Sequence, residues 1–366
     1  MNNNIKKIVI ATGGTGGHIF PAYSLAKHFK DKNITVEIIS DKRGYKYLKD
    51  YQDIKVSIIS SSTIFKKDFF QLIFSITMII YAIIRSFIFL LFNRPNLIFG
   101  MGGYSSFPVC IAAKILRIPF IIYENNLFMG KANKYLTPFA EKVFVSYKDL
   151  GGISQKYKEN VIEIGNIIRK EILNAKLEQF HELDDKKLKI LILGGSQAAK
   201  IFAEELPKIF KKCVDANIDF KIYQQCLPDQ NEFLNSYYKN LNINFEIFNF
   251  KSNIIEYFQK TNLAITRSGS SMLAELINVK VPFISIPLPS SADNHQLKNA
   301  IYYKKHNYGY LIKEEDIKTE LFGLISRISK EKSLLNQMIN KQRQYSDKSV
   351  YENIDKEVTK ILNEKY

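Results

Sequence analysis

Cysteine is scarce in this 366-residue chain. The three present, Cys110, Cys213 and Cys226, show neither metal-ligand spacing nor a disulfide framework, which fits a reducing cytoplasm. Arginine is also sparse: of 52 basic residues 44 are Lys and only 8 are Arg, and they are scattered with no basic stripe. A net charge of +16 permits an anionic partner, but a diffuse lysine bias is poor support for nucleic acid, and none is expected. No long apolar segment or small-residue cleavage site stands before the first strand. MNNNIKK runs directly into Ile8–Ala11, so no signal peptide is expected and the protein is expected to stay inside the cell. One stretch nearly lacks charge: Phe69 to Phe92 holds a single ionisable cation, Arg85.

What is present is a repeated alternation of short apolar strands and helical segments, which predicts parallel sheets covered on both faces. The chain is long enough for two cores. Strands are expected at Ile8–Ala11, Thr35–Ser40, Ile54–Ser60, Asn96–Phe99, Pro119–Tyr123, Lys142–Ser146 and Val161–Ile164. A polar stretch, Asn174 to Lys189, reads as a linker. A second run begins with Leu188–Leu193 and continues through Phe220–Tyr223, Phe245–Phe248, Ala264–Thr266, Pro282–Pro287 and Tyr310–Ile312. Residues 1–168 and 169–344 form the two expected domains, and the helix 345–366 is expected to pack back on the first.

Each half starts with a strand, a glycine-rich turn and a helix, a pattern that brings backbone N–H groups to a phosphate. In the first half the turn is Thr12-Gly-Gly-Thr-Gly-Gly-His18, and Asp41 ends the next strand at about the distance from which a dinucleotide site holds its ribose. The glycine spacing departs from that fingerprint, because Ile19 stands where its third glycine belongs. His18 sits at the lip of the turn, and a histidine there suits removal of a proton from a hydroxyl. A second glycine turn is Gly100-Met-Gly-Gly-Tyr-Ser-Ser106. In the second half Arg267-Ser-Gly-Ser-Ser271 leads from a strand into a helix carrying Met272, Leu273 and Leu276. Its hydroxyls and N–H groups would meet nucleotide phosphates at the positive helix end. Glu275, one turn on, would accept from a ribose diol. Asp293, Asn294, His295, Gln296 and Asn299 crowd polar groups after the following strand, which suits a sugar.

The set IATGGTGGHIFPA, FGMGGYSSFP, ENN at 124–126, GNIIR at 165–169, ILGGSQAAK, TRSGSSMLAEL and PLPSSADNHQLKNA resembles the MurG family, the peptidoglycan N-acetylglucosaminyltransferases that turn lipid I into lipid II. The resemblance spans Ile10 to Ala300. It implies a GT-B fold, two Rossmann-like doubly wound parallel-sheet domains facing across a cleft. It also implies an inverting transfer with no metal and no cofactor, and peripheral attachment at the cytoplasmic face of the bacterial plasma membrane. The substrates it implies are UDP-N-acetylglucosamine and undecaprenyl-linked lipid I, and it allows cell-wall synthesis proteins as partners.

By this resemblance His18 is catalytic, with Thr15, Gly16 and Gly17 beside it on the donor and Asn126 on the donor sugar. Arg169 and Ser196 meet the donor nucleotide, and Lys251 lies where uracil is bound through main-chain groups. Ser270, Ser271, Met272, Leu273, Ala274 and Glu275 lie under the UDP, and Gln296 reaches the N-acetylglucosamine. Gly13, Gly14, Gly102, Gly103 and Tyr104 would cradle the acceptor diphosphate. The sequence departs from the family pattern at ENN, at Ala198 and at FKSNI. Three other readings share parts of this pattern: a nonhydrolysing UDP-N-acetylglucosamine epimerase, another GT-B glycolipid transferase and a nicotinamide-dependent oxidoreductase.

The apolar stretch Phe69–Phe92 is long enough to span a bilayer, yet it joins two strands of one sheet and so is expected not to cross. On a helical projection Leu72, Ile73, Ile76, Ile79, Ile80, Ile83, Ile84, Phe87, Leu90 and Leu91 share the wholly apolar half, expected to cover the sheet. The other half mixes Phe70, Phe74, Met78, Ile88 and Phe89 with Gln71, Ser75, Thr77, Tyr81, Arg85 and Ser86. Lys66, Lys67 and Arg94 flank it, and this mixed half is expected to dock on an anionic membrane surface.

Overall fold

Strands such as KIVIA and LKILIL are apolar on both faces, so they are stable only inside a sheet that is covered on both sides. The computed structural model describes residues 7–59, 69–175, 187–195, 200–249 and 253–363. Among these the strands are β1 (Lys7–Ala11), β2 (Thr35–Ser40), β3 (Lys55–Ile58), β4 (Leu97–Gly100), β5 (Phe120–Glu124), β6 (Lys142–Val145), β7 (Val161–Glu163), β8 (Leu188–Leu193), β9 (Phe220–Gln225), β10 (Asn244–Phe248), β11 (Leu263–Thr266), β12 (Phe283–Ser285) and β13 (Tyr310–Leu311). The helices are α1 (Gly16–Lys30), α2 (Lys42–Leu48), α3 (Phe69–Asn93), α4 (Ser106–Ile115), α5 (Lys131–Leu136), α6 (Lys170–Leu173), α7 (Lys200–Asp215), α8 (Asn231–Asn240), α9 (Ile255–Gln259), α10 (Ser270–Asn278), α11 (His295–Lys305), α12 (Ile317–Lys330), α13 (Ser333–Gln342) and α14 (Val350–Asn363).

The chain divides into two units, Met1–Arg169 with Asp347–Tyr366, and Lys170–Ser346. Most of the expected linker lies outside the described residues. The first unit holds a seven-stranded sheet in the order β3-β2-β1-β4-β5-β6-β7, and the second a six-stranded sheet in the order β10-β9-β8-β11-β12-β13. All neighbouring strands run parallel. Strand order reverses between β1 and β4 and again between β8 and β11. Such switch points, at the C-terminal ends of the strands, are where doubly wound sheets bind ligands.

In the first unit α14 is fastened by polar groups with specific partners. Asp347 accepts from Asn166 N at 2.8 Å, and the Tyr351 hydroxyl donates to Ile168 O at 2.7 Å. The His28 ring, in α1, stacks on Tyr351 at 4.5 Å and its Nε2 lies 2.9 Å from Asp355, which also pairs with Lys32. Burial alone would raise the Asp355 carboxyl, but the His28 and Lys32 hydrogen bonds outweigh it and hold the group below its ordinary value. A carboxyl depressed in the folded state stabilises above its unfolded pKa, and that contribution disappears as pH falls through the folded value. Acidification below about pH 4 should therefore loosen α14 selectively. Amide exchange across residues 350–363 should accelerate in acid, and Asp355→Asn should be fast already at neutral pH; equal exchange in variant and parent would contradict the assignment.

The helix α3 corrects the expected orientation of the apolar stretch. Its buried stripe is narrow and made of Ser75, Ala82, Ser86 and Leu90. Ile73, Ile76, Ile80, Ile84 and Leu91, expected to cover the sheet, are exposed, as are Phe70 (77%) and Phe74 (65%). Small side chains let α3 approach the neighbouring α4 closely, and the Ser86 hydroxyl donates to Ala82 O at 2.7 Å, so it meets the core already satisfied. Helical periodicity weighs polarity, whereas close packing here selected for size. Of the mixed half, Phe89 packs partly on the core cluster, while Ile88 is exposed. Lys66 and Lys67 lie outside the described residues. By length and composition α3 could cross a membrane, but it links β3 and β4 of one sheet.

Candidate active site

The ligand edge of the first unit is built from loops that press glycine against glycine. β1 runs into Thr12, whose hydroxyl donates to His18 O at 3.1 Å, and α1 starts after Thr15, whose side chain makes no cap. A Cβ at Gly103 would fall 2.4 Å from Gly13 O, and one at Gly13 only 2.2 Å from Ser105 Oγ, so the loops after β1 and β4 meet as no larger residues could. The His18 ring rests on the second loop. At Gly102, with φ +85°, an added Cβ would lie 2.9 Å from ring atoms Cε1 and Nδ1. Gly14 has φ +87° and no atom within 4 Å of the corresponding position. Tyr104, next to Gly103 in sequence, is exposed.

Asp41 is not available to a ribose. Its carboxylate caps α2 by accepting from Gly44 N at 2.7 Å, accepts from Gly14 N at 3.3 Å and pairs with Arg43 at 3.1 Å. Burial would raise this carboxyl, yet those three partners together lower it below its ordinary value. The residue therefore braces the glycine loop from beneath. A third loop follows β5, where Asn125 Nδ2 donates to Gly17 O at 2.8 Å and Asn126 donates to the buried Glu124. Arg169, half-buried, ends a segment held by Tyr123, whose hydroxyl accepts from Ile167 N at 3.0 Å.

In the second unit β8 runs into Gly194 and Gly195; the next residue, Ser196, lies outside the described residues, as does Lys251. After β11 the chain turns Arg267 inward. Its guanidinium donates to Ile286 O and Pro287 O at 3.3 Å each, pairs with Glu314 and lies 5.0 Å from the Phe202 ring centroid, so it ties the end of β11 to the end of β12. Gly269 is the N-cap of α10 and brings no side-chain cap to the amides of the first turn. Ser270 is buried, Ser271 and Met272 are half-buried, and Glu275 is buried one turn further in. Leu273 and Ala274 have no side-chain exposure and belong to the core, so they enter this edge only as helix backbone. The C-terminal end of α10 is held by Lys280, buried at φ +59°, whose ammonium donates to Ile277 O, Gln342 O and Tyr345 O.

The polar cluster after β12 divides by role. Gln296 Oε1 accepts from Leu288 N at 2.9 Å, which fixes the amide beside the loop. Buried Asn299 donates to Ser268 O at 3.2 Å, joining α11 to the loop before α10. Asp293 and Asn294 stand exposed in the left-handed region, and the His295 ring meets Ala292 O at 2.7 Å. Sequence reading missed Glu124, Asn133 and Arg267 as organisers; the available signal was a charged residue placed at the end of a wholly apolar strand, as in FIIYE. Among the described residues no group of three His, Cys, Asp or Glu side chains could hold a metal ion.

The profile of the glycosyltransferase family 28 N-terminal domain matches residues 8–145, and that of its C-terminal domain residues 189–355. A UDP-N-acetylglucosamine–N-acetylmuramyl-(pentapeptide) pyrophosphoryl-undecaprenol N-acetylglucosamine transferase of Pelagibacter ubique is 36% identical, over 98% of this chain and 99% of the relative. The chain belongs to the MurG family of glycosyltransferases. A Rickettsia bellii relative of the same description is 35% identical over 88% of this chain and 91% of its own. The crystal structure of Acinetobacter baumannii MurG shares the fold, with a TM-score of 0.75 at 24% identity over 97% of this chain and 99% of that one. Two Rossmann-like parallel-sheet domains in one chain are the GT-B class that the MurG family shares.

Proposed function

We propose that this protein transfers N-acetylglucosamine from UDP-N-acetylglucosamine to the muramyl sugar of undecaprenyl-pyrophosphoryl-MurNAc-pentapeptide, lipid I, and so forms lipid II with inversion at the anomeric carbon. The observation that carries this reading is the 36% identity to a relative so described, over nearly the whole of both chains. The acceptor hydroxyl gives its proton to His18 as it attacks the anomeric carbon from the face opposite UDP. Charge growing on the departing UDP meets Ser196 and the amides at the start of α10, so the positive end of that helix contributes the electrostatic stabilisation.

In this reading Glu275 holds the ribose, Gln296 and Asn126 the N-acetylglucosamine, Arg169 the nucleotide and the main chain at Lys251 the uracil. Ser270, Ser271 and Met272 lie under the UDP, and the backbone of Gly13, Gly103 and Tyr104 receives the acceptor diphosphate, while Gly14, whose N–H is held by Asp41, shapes the loop. Gly102 is reassigned from the acceptor to the support of His18, because the ring occupies its open side. Labelled N-acetylglucosamine should pass from UDP to a lipid I analogue, equally with and without EDTA. Release of the epimeric UDP-sugar without lipid would favour the epimerase, and loss of transfer restored by magnesium would contradict the metal-free mechanism.

The lipid-linked acceptor calls for a membrane surface, and α3 offers one on the first unit. Phe70, Phe74, Ile80, Ile84 and Ile88 stand exposed along it. Residues 1–169 also carry 23 basic against 11 acidic side chains, the sign that anionic lipid attracts. On this reading the protein attaches at the cytoplasmic leaflet through this face. Serine in place of Phe70, Phe74 and Ile84 should reduce sedimentation with anionic vesicles and slow transfer to a long-chain acceptor while sparing a short-chain soluble one; unchanged vesicle binding would leave α3 without this role.

A further inference from the structure

We infer that Glu124 is a positioning residue for the transfer, acting through Asn126; the inference rests on the reading that Asn126 meets the donor sugar. Glu124 closes β5, is 2% exposed and has both carboxylate oxygens engaged by N–H donors. Oε1 accepts from Asn126 N at 3.1 Å and from Asn126 Nδ2 at 3.0 Å, so one oxygen holds both the backbone and the side chain of the same residue. Oε2 accepts from Gly130 N and from Asn133 Nδ2, each at 2.9 Å, which anchors the carboxylate to the start of α5. Asn133 is itself buried and also donates to Tyr123 O at 3.0 Å, so the anchor reaches back into the strand.

This geometry directs the Asn126 amide. With Nδ2 committed to Glu124 and, at 3.0 Å, to Asn125 Oδ1, the amide has one orientation in which its donors face the protein and its oxygen faces away from Glu124. An oxygen so presented accepts from a ligand hydroxyl or amide N–H, the groups that an N-acetylated sugar carries. Asn125 completes the arrangement by donating to Gly17 O at 2.8 Å, which ties the same loop to the residue before His18. Four donors converging on one side chain require an acceptor at both oxygens, and only a carboxylate provides that. Glutamine cannot: whichever way its amide turns, one pair of donors faces an NH2 group.

The test is a double-mutant cycle over Glu124→Gln and Asn126→Ala, read by turnover with a lipid I analogue and by the affinities for UDP and for UDP-N-acetylglucosamine. Each single variant should lower kcat/KM tenfold or more and weaken UDP-N-acetylglucosamine while leaving UDP unchanged. The double variant should be no worse than Asn126→Ala alone, because the two changes remove one interaction. Additive losses, or Glu124→Gln with the turnover and sugar-nucleotide affinity of the parent, would overturn the proposal while leaving Asn126 at the sugar. Asn126→Ala with parental properties would overturn the Asn126 reading and the proposal together. If the glutamine variant does not fold, Glu124→Asp, whose carboxylate is drawn back by one methylene from Asn126 and Gly130, carries the same cycle with the same expected outcomes, and UDP affinity reports an intact second unit in every case.

Discussion

His18→Ala lowers turnover by about a hundredfold or more and leaves the affinity for UDP-N-acetylglucosamine nearly intact. The imidazole is half-buried at the first turn of α1, with its ring lying against the backbone of Gly102. In the proposed role the imidazole takes the proton of a hydroxyl delivered to the loop, so its removal should affect the proton transfer rather than ground-state binding of the donor. Gly102→Ala should reproduce much of the loss. A methyl group there would fall 2.9 Å from the ring in a backbone conformation, φ +85°, that alanine rarely adopts, so His18 must move or the loop must open. Single-turnover transfer to a soluble lipid I analogue measures both variants. An His18→Ala enzyme with near-parental turnover would return the residue to a structural role.

Glu275→Ala should weaken the donor by about 1–3 kcal/mol, the cost of leaving ribose hydroxyls without the acceptor proposed for them. Glu275 is 5% exposed on α10, one turn from a helix start that carries Ser270 and Ser271. On the proposed reading that Glu275 accepts from the ribose diol, its loss should raise the Kd for UDP and for UDP-N-acetylglucosamine alike. That pattern separates it from Asn126, whose variant should spare UDP. Calorimetric titration of both nucleotides decides the matter, and unchanged affinities would remove Glu275 from the ribose.

Much of this molecule is legible locally. Apolar strands such as FIIYE and LKILIL can be buried only between two helical layers, and a strand followed by glycines and then by helical spacing specifies a loop with its N–H groups at the end of a parallel sheet. The paired halves, the strands, the two glycine turns of the first half and the Arg267–Ser271 turn all follow from such short-range rules. Asp41 shows where those rules end. It stands at the separation from the glycine loop that suits a ribose, yet Gly44, Gly14 and Arg43 have taken its oxygens. Which donor a carboxylate finds depends on backbone brought near from elsewhere, and no spacing encodes that.

The same distinction separates α3 from its projection. Its sequence determined a long apolar helix; packing against α4 decided that Ser75, Ala82, Ser86 and Leu90 would face inward and the larger isoleucines outward, because close approach selects for volume. Leu273 and Ala274 are likewise core residues beside a ligand loop, and Arg267 and Asn299 are ties between loops. The sequence by itself determined the elements, the family and the side chains at the strand ends. Tertiary structure decided which of those polar groups are spent on one another and which can meet a ligand, since a hydrogen bond formed within the fold is no longer available to a substrate.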